Sequence, residues 1–346
     1  MKIKKSCLLI LALCLVISAP GCKKTKPQPE TAAAEFQWQI DQFADLKILR
    51  YKVPGFEELS PRQKELIYYL SEAALSGRDI VFAQNYKHNL LIRKTLDAIV
   101  EGYKGDRADP QWERFMVYVK RVWFSSGIHH HYSTDKFIPD FTPEYFAALV
   151  KGAEGVQFPL TEGQTLDDLI AFLRPVMFDP AVDAKKVSQD STQDLVTHSA
   201  VNFYEGVTQA EVEAYYKSIA AEDDPTPISY GLNSRVVKKN GEVVEEVASV
   251  SGLYGPTIQK IIEWLGKAAG VAENEQQKKV IEKLIEYYKT GDLKKFDEYN
   301  ILWVDDLDSW VDFINGFIEV YSDPLGRKGS WESVVNFKDV VATKRA

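Results

Sequence analysis

All three cysteines, Cys7, Cys14 and Cys22, lie within the first 22 residues of this 346-residue chain. No disulfide or thiolate metal site can therefore brace the remainder, and a cysteine nucleophile is excluded there. Whatever folds must do so by burying apolar surface. The composition allows it: 45% of residues are hydrophobic and 27% charged, with 17 Tyr, 17 Phe and 7 Trp available for a core. The formal net charge is -8, and no long basic run lies beyond the first few residues. A phosphate-binding face needs basic residues, so nucleic acid is not an expected partner.

The cysteine-bearing end reads as an export signal. Lys2, Lys4 and Lys5 precede a short apolar run from Cys7 to Ala19, too short to span a bilayer stably. Ala19-Pro20-Gly21-Cys22 resembles a bacterial lipobox, with Ala and Pro imperfect at the two outer positions. Residues 1–21 are thus expected to be a signal peptide and Cys22 a lipidation site. Residues 22–39 would be the tether, with Lys23 to Glu30 rich in Lys, Pro and Gln. A lipoprotein of the periplasm or outer membrane, attached to a membrane through its lipid, is the corresponding expectation.

No 20–50-residue period recurs, which argues against a solenoid. Helix signals dominate instead, and the fold class is read as α+β with helix in the majority. Ser60-Pro61 is a cap followed by proline at the first helical position, and Leu66, Ile67, Leu70, Ala73 and Ala74 share one face up to Gly77. Helical spacing continues from Val81 to Tyr103. Thr142-Pro143, Thr165 and the capping box Thr208/Glu211 open further helices. Pro256 starts an amphipathic one, and another runs from Asn274 to Lys289 before Gly291. The exception is Val236 to Val244, where Asn240-Gly241 separates two β-branched runs and predicts a hairpin. The expected organisation is a helical part over 40–227, β structure over 228–251 and a second helical part over 252–346, with Asp223 to Pro227 as a boundary.

The histidines His88, His129, His130, His131 and His198 do not start a pattern of two histidines on one helical face with a glutamate as general base, which a helical zinc protease site requires. The run His129-His130-His131 is expected to be a surface or hydrogen-bonded loop, because adjacent extended residues point to opposite faces. No Gly-x-Ser-x-Gly elbow or glycine-rich phosphate loop occurs. By spacing alone, no complete catalytic set is present and no metal ligands are assigned.

One segment is distinctive: VDFINGFIEVYSDPLGRKGSWESVV, Val311 to Val335. Its Phe317, Ile318, Glu319, Tyr321, Asp323, Pro324 and Gly326 resemble a signature of the dipeptidyl peptidase III family. Ser126-Gly127 with Lys136 to Pro139, and the helix around Ser60 to Ala74, resemble the family more weakly. The resemblance covers most of the chain after residue 40. It implies a zinc-dependent exopeptidase that releases dipeptides from peptide N-termini, with two lobes across a wide cleft. Residues 40–339 would form the non-zinc lobe, which holds a small β-barrel core completed by strands from later sequence. It further implies that Glu319 binds the substrate's N-terminal ammonium, that Tyr321 donates to the oxyanion, and that Ile318 lines the same pocket. The family's His-Glu-x-x-Gly-His motif has no counterpart here. The chain is therefore expected to be a truncated form, inactive alone, whose partners are peptides with free N-termini and a separate zinc-lobe chain. The alternative is a non-catalytic surface lipoprotein that binds peptide or glycan. Read without the resemblance, Trp310, Phe313, Ile314, Phe317, Ile318 and Tyr321 make a helical stripe, with Tyr321 in the core and Glu319 in solvent.

Overall fold

Side-chain caps set where most of the helices begin. In the computed structural model, which describes residues 36–221 and 223–345, Ser60 accepts from the Gln63 amide and opens α1 (Pro61–Ser76). The signal segment, Cys22 and the tether lie outside the described residues up to residue 35. Residues up to Tyr51 and residues from Lys52 onward form two units. The first contains the antiparallel hairpin β1 (Gln39–Phe43) and β2 (Leu46–Leu49).

In the second unit α1 is followed by α2 (Arg78–Asn85), α3 (Asn89–Gly102) and α4 (Pro110–Phe124). Helices α5 (Pro143–Gly152) and α6 (Leu166–Phe178) come next. Thr142 caps α5 and Thr165 caps α6, as the sequence predicts. Then come β3 (Tyr204–Glu205) and α7 (Gln209–Ile219), the latter opened by the Thr208/Glu211 capping box. The hairpin is β4 (Ser234–Lys239) and β5 (Glu242–Val247), turning at Asn240 and Gly241, both with positive φ. Helices α8 (Gly255–Gly270), α9 (Glu275–Thr290) and α10 (Leu293–Val304) lead to β6 (Val311–Glu319), β7 (Ser330–Phe337) and a last turn, α11 (Val340–Thr343). Gly291, at φ 72°, supplies the left-handed C-cap of α9. No helix among the described residues is long and apolar enough to cross a membrane.

Four sequence expectations change. Residues 40–227 are not all helical, because the β1–β2 hairpin opens them and β3 lies near their end. Val81 to Tyr103 is not continuous helix: Tyr86 is extended (φ -169°, ψ 137°), and its buried ring and its hydroxyl, 2.5 Å from Asp183, outweigh helical propensity there. The β structure within 228–251 narrows to 234–247. Most importantly, the stripe after Trp310 is strand, not helix, so 252–346 is not all helical. Val311, Phe313, Asn315 and Phe317 alternate into the core, and Asn315-Gly316 in mid-segment would weaken a helix. The β6–β7 pairing is antiparallel, β3–β4 parallel and β4–β5 antiparallel; among the described residues the sheets remain separate.

Two main cores result. One gathers α1, α8, α9, α10 and the β6–β7 hairpin around Leu66, Leu70, Ile261, Leu284, Phe317 and Trp331. The other joins α2 to α6 around Ile92, Leu96, Phe115, Val119, Phe146 and Leu173. The side-chain amide of Gln84 links them: it donates to the Gly329 carbonyl at 3.0 Å and accepts from the Trp331 amide at 2.7 Å, acting as a one-residue strand partner for β7.

Candidate functional site

Regular alternation along β6 would send Glu319 to the same side as Val311, Phe313 and Phe317, into the core. A β-bulge prevents this. Phe317 pairs with Trp331 and Glu319 with Ser330, so two residues advance on β6 for one on β7. The extra residue, Ile318, is half-buried against the core, and the shift turns the Glu319 carboxylate out to solvent. Glu332 lies close enough that burial and the Glu319 charge together push its carboxyl above the usual range. Two residues past the strand, Tyr321 is 76% exposed. Among the described residues, neither the Glu319 carboxylate nor the Tyr321 hydroxyl has a hydrogen-bond partner.

The turn after Tyr321 is built around Asp323, which is buried. Its carboxylate accepts from the amides of Leu325 at 3.2 Å, Arg327 at 2.7 Å and Lys328 at 2.8 Å, and from the Tyr204 hydroxyl at 2.9 Å. Asp323 also closes the turn through its backbone, donating to Val320 and accepting from Gly326, both at 3.0 Å. Gly326 has φ 62°, a conformation that favours glycine. Burial drives the Tyr204 hydroxyl pKa upward, helped by the neighbouring Asp323 charge, so it remains a donor. Lys328, completely buried, extends the network toward the hairpin: its ammonium donates to the hydroxyls of Tyr216 and Ser234 and lies 3.5 Å from Glu245.

The structure therefore brings Ile318, Glu319 and Tyr321 together on one short, anchored stretch, with the glutamate and tyrosine outward. Sequence reasoning missed Tyr204, Tyr216, Glu245 and Lys328. No local sequence pattern marks them: Lys328 stands among Asp323, Arg327, Ser330 and Glu332 like an ordinary turn lysine.

Residues 184–346 match the family model described as Peptidase family M49. The chain is 24% identical to the human (Homo sapiens) dipeptidyl peptidase 3 over 312 residues, covering 81% of this chain and 42% of that protein. The solved dipeptidyl peptidase III structures from Caldithrix abyssi and Corallococcus sp. strain EGB superpose with TM-scores of 0.55 and 0.54 at 19% identity. They cover 84% and 85% of this chain, and 42% of each of those chains. The chain is related to the dipeptidyl peptidase III family. It spans less than half the length of these relatives.

The histidines do not assemble as a metal centre. His129 is buried, not at the surface, and its Nε2–H donates to the Asp183 carbonyl at 2.7 Å. Burial lowers its pKa to about 4, which keeps the ring neutral. His130 accepts the amides of Tyr132 and Ser133, both at 3.1 Å, on Nδ1. His130 and His131 stack with centroids 4.4 Å apart, so two of the three adjacent rings share a side after all. Among the described residues, no three His, Cys, Asp or Glu side chains converge as metal ligands. A cavity of about 700 Å³ lined by Tyr132, Asp183, Lys185 and His198 contains none of the signature residues. The anchored stretch, which holds the signature residues, is therefore the candidate site.

Proposed function

We propose that this chain is the substrate-gripping part of a zinc-dependent dipeptidyl peptidase III-like enzyme, in which Glu319 captures the free N-terminal ammonium of a peptide. The observation that carries this reading is the bulge at Ile318. It makes an acid that strand geometry would bury available to a ligand, on a support whose backbone is fixed by Asp323. A carboxylate held in this way forms charge-assisted hydrogen bonds with an ammonium, and a blocked amine cannot reproduce them. Ile318 supplies the adjoining apolar contact.

Tyr321 would donate its hydroxyl to the oxyanion formed when the peptide carbonyl is attacked. Such donors act in water-excluded sites. At 76% exposure, Tyr321 can work in this way only if a second lobe closes over it. On this reading the described residues grip the peptide's N-terminal end. Export through residues 1–21 and lipidation at Cys22 would place the protein in the periplasm or at the outer membrane as a lipoprotein. Titration of the chain with a tetrapeptide, and separately with its N-acetylated form, tests the reading: the free peptide should bind measurably tighter, and equal affinities would refute it.

A further inference from the structure

Lys328 is the completely buried lysine at the end of the signature turn, and polar partners surround its ammonium. Its Nζ lies 2.8 Å from Ser234 Oγ and within hydrogen-bond distance of the Tyr216 hydroxyl, and both hydroxyls in turn donate to Glu245. The ammonium also sits over the Tyr216 ring, 4.7 Å from its centroid, while Arg327 covers the same ring at 4.3 Å. Gly231 leaves the necessary room, because a β-carbon there would come within 3.0 Å of Nζ and 2.5 Å of the Tyr216 hydroxyl. At the other end of the residue, the Lys328 amide donates to Asp323. One residue thus joins the turn to α7 and to both strands of the β4–β5 hairpin. Desolvation lowers the lysine pKa to about 8, leaving it mostly charged at neutral pH. A buried ion pair of this kind adds little net stability over an apolar pair of the same volume, since both charges lose their hydration. Its distinctive contribution is registry.

We propose that Lys328, paired with Glu245, is a positioning residue that holds Glu319 and Tyr321 in a single presentation for the peptide N-terminus. The inference rests on the peptide-binding reading above, yet its first test is independent of it. Amide hydrogen exchange on the whole chain should be at least tenfold faster over residues 319–328 in Lys328→Met, with α9 and the Phe313–Val335 pairing unchanged. Glu245→Gln, which keeps the shape and removes the countercharge, should give a smaller loss confined to the same residues, and it carries the test if Lys328→Met fails to fold. Free-tetrapeptide affinity should fall about tenfold in Lys328→Met, measured well below that variant's own denaturation midpoint, which drops because Glu245 loses its countercharge. Unchanged exchange over 319–328 in both variants, or acceleration spread evenly over the chain, would overturn the proposal. Weak discrimination in Glu319→Gln together with intact binding in Lys328→Met would refute positioning while sparing the role of Glu319. If Glu319→Gln has no effect on binding, the peptide reading fails, and the exchange result still decides whether Lys328 fixes the turn.

Discussion

The indole of Trp331 occupies the space into which a side chain on Gly77 would project: a β-carbon there would lie 2.0 Å from the ring. Gly77 has φ -78° and ψ -6°, so its backbone would accept alanine, and relief of unfolded-chain entropy would favour the change. The contact decides the sign. The ring cannot retreat easily, because its Nε1–H is held by the Tyr288 hydroxyl at 2.9 Å. Gly77→Ala should therefore destabilise the protein by about 1–3 kcal/mol in urea unfolding. A stabilised variant would show that the hairpin yields.

That hydroxyl has a second task. It donates to Asn315 Oδ1 while accepting from Trp331, in a fully buried setting, and Asn315 reaches on to Ser333 at 3.2 Å. Tyr288→Phe removes one oxygen and leaves a donor and an acceptor without water. Loss of about 1–3 kcal/mol in the same assay is expected. A neutral result would mean that the indole finds another acceptor.

His129 makes stability depend on acidity. Its pKa is about 4 in the folded chain against an ordinary 6.5, because burial disfavours the imidazolium. The unfolded chain binds the proton first as pH drops. The stabilisation is thus complete above about pH 6.5 and is lost as pH falls through about 4, amounting to about 3 kcal/mol in all. His129→Gln can still donate to the Asp183 carbonyl but does not titrate. Its unfolding free energy should decline less than that of the wild type between pH 7 and pH 4, and parallel declines would exclude His129 as the source.

Much of the helical frame is legible from local chemistry. Ser60-Pro61, Thr142-Pro143, Thr165 and Thr208/Glu211 satisfy the first helical amides with nearby side chains, so a few consecutive residues contain the whole signal. Asn240-Gly241 is equally local. The segment from Trp310 to Tyr321 is different, because spacings of three and four residues also sample alternating positions. Only pairing with β7, reached through the Asp323 turn, selects the strand. The bulge that exposes Glu319 is likewise a property of two strands. Lys328 and Glu245 lie far apart in sequence and have no pattern in common, so their pairing is invisible until the chain folds.

The central claim is that Glu319 recognises a free amine. Titration calorimetry of wild type and Glu319→Gln, each with one tetrapeptide in its free and N-acetylated forms, tests it most directly. In the wild type, acetylation should weaken binding by about tenfold to a hundredfold, the range of a charge-assisted contact; in Glu319→Gln it should make almost no difference. A glutamine variant that still prefers the free peptide by the wild-type factor would contradict the account.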